Sequence, residues 1–408
     1  MKYVIVIPDG CADEPQDSLG GKTPLQAART PAMDRAAQMG QVGASNNVPQ
    51  PLTPASDVAT LSLFGYDPLE VYTGRAPLET VAMGIQLKPG DWAIRCNLVH
   101  VADGLMKDFT AGHISSEDGK ALIHALEASL GGEVKSETGE IMGRLEFFPG
   151  VSYRNILVYR ANRPVPFTKE TRTQPPHDIP DQPVLGHLPT GPGNVLLRNL
   201  MEKSKPIFHC HPANQARISQ GKTPATQCWL WGQGSAPILK NFKDLHSIQG
   251  AIISAVDLVR GVGMLIGWNR IDVPTATGYL DTDYAAKAKY MIEALKNHDL
   301  VCVHVEAPDE ASHEGRVDAK VKSLEEIDRH IVGPALEELP KFGDWRILVS
   351  PDHQTHLRTR AHSYGHVPFV MAGTGIPSFG QSTYDEAVAA ASSLSFDKGH
   401  HLINRFLK

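Results

Sequence analysis

Three short apolar runs, one at the start of the chain and two near its end, each stop at a carboxylate or an imidazole. YVIVIP leads to Asp9, LVCVHVEAP to Asp309 and His313, and RILVSP to Asp352 and His353, with His362 in the loop beyond. Each run is short, rich in β-branched residues and halted by a Pro-containing turn, so each reads as a strand. Helix-like stretches at about 282–297 and 317–338 separate the later runs, and a further strand is expected at 367–372. Strands alternating with helices of this length specify a mostly parallel sheet flanked by helices. In such an α/β sheet, ligands gather in the crevice at the carboxyl ends of the strands, so segments far apart in sequence can build one site there.

With 408 residues the chain exceeds what one hydrophobic core usually organises, roughly 250–300 residues. Between about 89 and 256 the rhythm changes to strand-like pieces, Trp92–Val101 and Val151–Arg160, alternating with Pro/Gly-rich loops such as TRTQPPHDIPDQP. The expected organisation is therefore a discontinuous core domain, 1–88 plus 257–408, closed around an inserted α+β domain, 89–256. In the first part a helix should run from Thr30, as N-cap, to a stop at Gly40, and a second short helix should begin at Ser56.

A net charge of −6 argues against a nucleic-acid footprint or a basic membrane-surface face. The five scattered cysteines form no CxxC pair, which fits a reducing compartment, and no apolar run approaches a membrane span. A cytoplasmic protein is expected, with homo-oligomerisation left open. An anionic ligand would need a local cationic pocket.

Asp309 and His313 have the i, i+4 spacing that puts two side chains on one side of a helical turn. With Asp9, Asp352, His353 and His362 they supply carboxylate and imidazole donors suited to Mn, Zn or Co, with Mg possible at an oxygen-rich position. Ser56 reads in two compatible ways: an N-cap that satisfies an orphan N–H, or a nucleophile at a helix N-terminus where a phosphate would be stabilised. Other features carry less. His209-Cys210-His211 has no distant partner pair with zinc spacing and reads as a strand-end loop. RGVGMLIG lacks a full GxGxxG and follows a helix-like segment. Trp229 and Trp231 alternate as in a buried strand.

Together these segments resemble the alkaline phosphatase superfamily and, within it, the archaeal-type cofactor-independent phosphoglycerate mutases. The resemblance runs through VIPDG, SDVATLSLFGYDP, YTGRAPLE, RCNLV, AGHIS, GVSYRN, PPHDI, WLWGQG, SAVDLVRGVG, EAPDEASHEG, SPDHQT and HSYGHVPF, in order along nearly the whole chain. It implies an alkaline-phosphatase-like fold and an isomerase of glycolysis that interconverts 3- and 2-phosphoglycerate. Two divalent metals and no bisphosphoglycerate cofactor are implied. Ser56 would accept the phosphoryl group. Asp309, His313 and His362 would hold one metal, and Asp9, Ser56, Asp352 and His353 the other. His366 competes with His362, but only His362 meets the family spacing to Val-Pro.

The implied substrate is a small phosphorylated carboxylate, for which Arg75, Arg95, Arg154, Arg217 and Arg260 are candidate clamps because the guanidinium fork binds carboxylate and phosphate bidentately. Arg260 stands where the pattern often carries lysine. His113 and Asp178 are candidate acid/base groups for the glycerate hydroxyls, and the inserted domain would act as a lid that excludes water. The alternative is another phosphotransfer enzyme on the same scaffold, such as a homoserine kinase or a phosphatase.

Overall fold

A computed structural model describes residues 1–162 and 165–408. The chain forms two compact units, one of Met1–Tyr72 with Leu239–Lys408 and one of Thr73–Ile238.

In the first unit the N-terminal strand Lys2–Pro8 lies inside an eight-stranded sheet. It pairs in parallel with Leu300–Val305 on one side and Trp345–Val349 on the other, with Ile5 opposite both Cys302 and Leu348. Outward from the first neighbour follow Gly250–Ile253 and Asn269–Arg270, both parallel. Outward from the second, Val367–Gly373 alone runs in reverse, antiparallel both to Trp345–Val349 and to Gln41–Ser45, and Ser395–Phe396 closes the edge in parallel with the latter. The sheet is thus mostly parallel, as the alternation of runs and helices predicts.

Val4, Ile5, Val6 and Ile7 are all fully buried because helices cover both faces. Val4, Val6, Val301, Val303, Ile347 and Val349 face Met33, Ala36, Met291, Leu295, Leu324 and Ile327 of the helices on one side. On the other, Tyr3 meets the C-terminal helix Leu402–Leu407 through Phe406, ring centroids 5.6 Å apart. Each buried Val, Ile or Leu stabilises the sheet by roughly 1.5–3 kcal/mol relative to exposure.

The helix expected after Thr30 spans Pro31–Met39 and stops at Gly40, but the Thr30 side chain does not cap it. Asp328, remote in sequence, accepts from the Ala32 and Met33 amides at 3.1 and 2.7 Å and takes that role.

The second unit is a six-stranded antiparallel sheet built on the long strand Trp92–Ala102, which pairs with Leu105–Asp108, Arg154–Ala161 and Gln227–Ser235. Helices Ser116–Leu130 and Asn194–Cys210 bury Leu122, Leu126, Leu197 and Phe208 against Ile94, Leu98, Trp229 and Leu230. Trp229 and Trp231 are strand residues, both buried.

The insertion is larger at its start and shorter at its end than the sequence suggests: 73–238 instead of 89–256. Helix Arg75–Ala82 belongs to it because Ala76 packs with Ala93, Ile156 and Val158. Residues 250–253 belong to the core because they extend its parallel sheet. His209-Cys210-His211 is not a strand-end loop: the first two end a helix and His211 caps the next, its Nδ1 accepting from the Ala213 amide. Among the described residues no helix is long and apolar enough to cross a membrane.

Candidate metal centre

Three parallel strands deliver the candidate ligands to one rim. Asp9 follows the N-terminal strand, its amide bonded to the Val305 carbonyl at 3.0 Å. The strand ending at Val305 runs into helix Ala307–Glu314, which carries Asp309 and His313 one turn apart. Asp352 and His353 follow Trp345–Val349, and the hairpin Gln354–His356/Ala361–Ser363 folds His362 back opposite Thr355. The segments meet closely. Gly10 has φ +57°, and a Cβ there would lie 2.4 Å from Asp309 Oδ1 and 2.5 Å from Thr355 Oγ1, so only glycine fits.

Asp309, His313 and His362 form one donor group, and Asp9, Asp309 and His353 a second, each compact enough to hold one ion. In the first, His313 Nε2 lies 3.0 Å from Asp309 Oδ2 and 3.1 Å from His362 Nε2. In the second, His353 Nε2 is 3.7 Å from Asp9 Oδ1; Asp352 stands beside that group, its Oδ2 3.3 Å from the same nitrogen. The rings are oriented alike. His313 Nδ1 donates to the Arg360 carbonyl at 2.9 Å and His362 Nδ1 to the Pro54 carbonyl at 3.2 Å, while His353 Nδ1 meets Thr355 Oγ1 at 3.2 Å. Each ring therefore turns Nε2 inward, the arrangement in which an outer acceptor fixes the tautomer of a metal-binding histidine.

Electrostatics fit a cation. Burial, then Asp352 and Glu306, push the Asp9 carboxyl well above its usual range. Burial, then Asp309, raise Glu306 to about 8. Burial opposes ionisation of Asp309 too, but the His313 and His362 rings hold it well below the usual carboxylate range. Burial likewise disfavours charge on His313, yet Asp309 outweighs it and raises the ring to about 9. Asp9 Oδ1 and Asp352 Oδ2 are buried without a hydrogen-bond partner. Buried carboxylates gathered like this are expensive without a counter-charge, and a divalent ion would supply it while displacing the His313 proton.

Ser56 opens helix Ser56–Leu63 and lies at its first residue; the N-cap position is Ala55. The capping reading of Ser56 therefore fails, because its hydroxyl is turned to His353 Nε2, 3.1 Å away. Asp57 anchors the turn, accepting from the Val58 amide at 2.9 Å and from Tyr72 Oη at 2.8 Å.

The inserted unit holds a cationic cluster. Glu79 accepts from Arg75 Nε at 3.2 Å and forms an ion pair with Arg95, whose Nε lies 2.9 Å away without a hydrogen bond, and the Arg95 guanidinium stacks on Trp231 at 4.2 Å. Burial, and then the charges of Arg75 and Arg154 against the pull of Glu79, lower Arg95 to about 10. Arg154 stands over Tyr153 at 5.5 Å.

Arg217 is not part of this cluster. Its buried fork is filled by Asp118 at 3.2 Å and by the Ala111 and Thr223 carbonyls at 2.8 Å, which makes it a structural clasp. In the core unit Arg260 bonds the Ser254 carbonyl at 2.6 Å and Asp257 at 3.1 Å. His113 is exposed in a turn with φ +46°, and Asp178 is exposed at the end of a short 3₁₀ turn, accepting from Gln174 at 3.1 Å. His366 bonds Asp397 at 3.1 Å.

His304, Glu306 and Thr355 are functional candidates beyond those read from the sequence. His304 Nε2 donates to Asp9 Oδ2 at 2.6 Å while its Nδ1 faces Ser254 Oγ at 3.0 Å, and burial lowers the ring to about 3, so it stays neutral. A polar residue inside the otherwise apolar run LVCVHV was the available signal.

A family model described as 2,3-bisphosphoglycerate-independent phosphoglycerate mutase matches residues 37–214. A protein of Methanothrix thermoacetophila with that name is 45% identical over 99% of this chain and 98% of its own length. A Geobacter sulfurreducens protein named as probably the same is 44% identical over the whole of both chains. Among solved structures, a Pyrococcus horikoshii protein shares 27% identity at a TM-score of 0.81, covering 100% of this chain and 96% of its own. The cofactor-independent phosphoglycerate mutase of Thermoplasma acidophilum shares the fold at 0.68, with 23% identity over 100% of this chain and 99% of its own. Sustained over the full length of both chains, that identity places the chain in the 2,3-bisphosphoglycerate-independent phosphoglycerate mutase family.

Proposed function

We propose that this chain interconverts 3-phosphoglycerate and 2-phosphoglycerate through a phosphoserine at Ser56. The observation that carries the reading is the position of the Ser56 hydroxyl, at a helix N-terminus and 3.1 Å from His353 within the Asp/His cluster. Full-length relatives named as mutases favour this over a kinase or phosphatase on the same scaffold.

Asp309, His313 and His362 would hold one divalent cation, and Asp9, Ser56, Asp352 and His353 a second. Mn, Zn or Co suits these donors, with Mg a further option at the more oxygen-rich group. Bound there, such ions neutralise charge on the phosphoryl oxygens and on the attacking and leaving oxygens. The chain's residues do the rest. Ser56 Oγ forms a bond to phosphorus as the bond to the 3-oxygen of glycerate breaks; the serine gives up its proton and the freed 3-oxygen gains one. Glycerate then reorients, its 2-oxygen takes the phosphoryl group from the serine with loss of its own proton, and Ser56 is reprotonated.

The helix N-terminus at Ser56 favours the phosphate at both stages. Arg75, Arg95 and Arg154 would recognise the anionic groups of the substrate. His113 and Asp178 remain candidates for proton exchange with the glycerate hydroxyls. The inserted unit would act as the lid that keeps water from the phosphoserine, since hydrolysis would otherwise turn the mutase into a phosphatase.

The test is purified, Mn-loaded protein with 3-phosphoglycerate, coupled to enolase, with 2,3-bisphosphoglycerate absent. Turnover is expected, and Ser56→Ala should reduce it to background. No turnover, with ADP formed from ATP and homoserine, would overturn the mutase reading; activity retained in Ser56→Ala would overturn the phosphoserine.

A further inference from the structure

We infer that Thr355 is a positioning residue that locks the two ligand groups together and fixes which nitrogen of His353 faces the centre. The inference rests on the metal-centre reading above and assigns a role to a side chain that would not itself hold an ion.

Thr355 is fully buried. Its hydroxyl lies 2.5 Å from Asp309 Oδ1 and 3.2 Å from His353 Nδ1. A hydroxyl has one proton to give, and an ionised carboxylate can only accept, so the Thr355 proton goes to Asp309. The hydroxyl oxygen must then accept from His353, which places the His353 proton on Nδ1 and the lone pair on Nε2. That lone pair points at Ser56 Oγ, 3.1 Å away, and toward Asp352 Oδ2 at 3.3 Å. Buried Asp352 Oδ2 has no hydrogen-bond partner, as expected if the nearby Nε2 carries no proton. One hydroxyl thus ties Asp309, which the two groups share, to His353 of the second.

Thr355 is itself held from behind. Its amide donates to the Ala12 carbonyl at 3.2 Å, and its carbonyl receives Lys320 Nζ at 2.8 Å. Lys320, fully buried, also pairs with Asp13 Oδ2 at 2.7 Å. The loop after the N-terminal strand, the helix Val317–Ile327 and the hairpin that carries His362 are therefore cross-braced at this one residue. Outer hydrogen bonds of this kind tune metal affinity by about 10–100-fold.

The experiment titrates metal-free protein with Mn2+ alone and follows free Mn2+ by electron paramagnetic resonance, a readout that needs neither substrate nor turnover. Thr355→Val keeps the shape and removes the hydroxyl; it should bind Mn2+ at least tenfold more weakly at one or both positions. Thr355→Ser keeps the hydroxyl and should stay within about threefold of wild type. If the valine variant does not fold, Thr355→Ala takes its place with the same expected result. Wild-type affinity in the variant lacking the hydroxyl would overturn the inference and leave the metal reading standing, and so would a serine variant as weak as the valine one. No Mn2+ binding by the wild-type chain would sink both.

Discussion

What a buried arginine does depends on what its fork already holds. Arg217 donates to Asp118, to the Ala111 carbonyl and, twice, to the Thr223 carbonyl, which commits four of its five N–H groups within the fold. Removing it strands two carbonyls and a partly buried carboxylate. Arg217→Ala should lower unfolding free energy by about 2–4 kcal/mol, read by urea denaturation, with the KM for 3-phosphoglycerate unchanged. Arg154 is the opposite case: exposed, resting on Tyr153, beside the charges that depress Arg95. Arg154→Ala should leave the melting temperature within a degree or two, yet raise KM by roughly 10–100-fold, the worth of a charge-assisted contact. Equal KM values for the two variants would remove Arg154 from the clamp.

At the scale of elements, the sheet was legible wherever a strand announces itself. YVIVI, LVCVHV and RILV are largely apolar runs because both faces are covered, and their ends place Asp9, Asp309, Asp352 and His353. The insertion's limits were not legible. Helix Arg75–Ala82 gives no sign that its partners are Ala93 and Val158, and the four-residue strand Gly250–Ile253 is too short to separate from its surroundings. The roles of Thr355 and Lys320 were hidden for a related reason, since each acts through residues brought close only by the fold.

The C-terminal helix shows what such distant partners contribute. Phe406 is fully buried, its ring meets Tyr3 of the central strand, and its carbonyl receives Arg346 Nη1 at 2.8 Å. Phe406→Ala should therefore cost about 3–5 kcal/mol although the residue lies far from the metal centre. The check is denaturant unfolding in excess EDTA. A loss below 1 kcal/mol would mean the helix merely lies on the sheet.

Across the whole molecule the core must close from both ends of the chain, and one carboxyl marks the closure. Glu386 receives Thr23 Oγ1 at 2.6 Å and the Asp13 amide at 3.3 Å, joining the C-terminal third to the loop that follows the first strand. Burial, offset only in part by those hydrogen bonds, raises its pKa from 4.5 to about 7. The sign follows from linkage. The folded state prefers the protonated carboxyl, so its stabilising contribution is complete below about pH 4.5 and is lost as pH rises through about 7. The two bonds fall on different oxygens, so a glutamine keeps one oxygen to accept from the Asp13 amide while its NH2 donates to the Thr23 hydroxyl, and it cannot ionise. At roughly 1.4 kcal/mol per pKa unit, the stability of Glu386→Gln relative to wild type should improve by on the order of 2–3 kcal/mol between pH 5 and pH 8. Urea unfolding of both proteins in excess EDTA measures this without a contribution from metal. A pH-independent difference would show that the carboxyl ionises as freely in the fold as in the unfolded chain, and that the two ends are joined by packing and neutral hydrogen bonds alone.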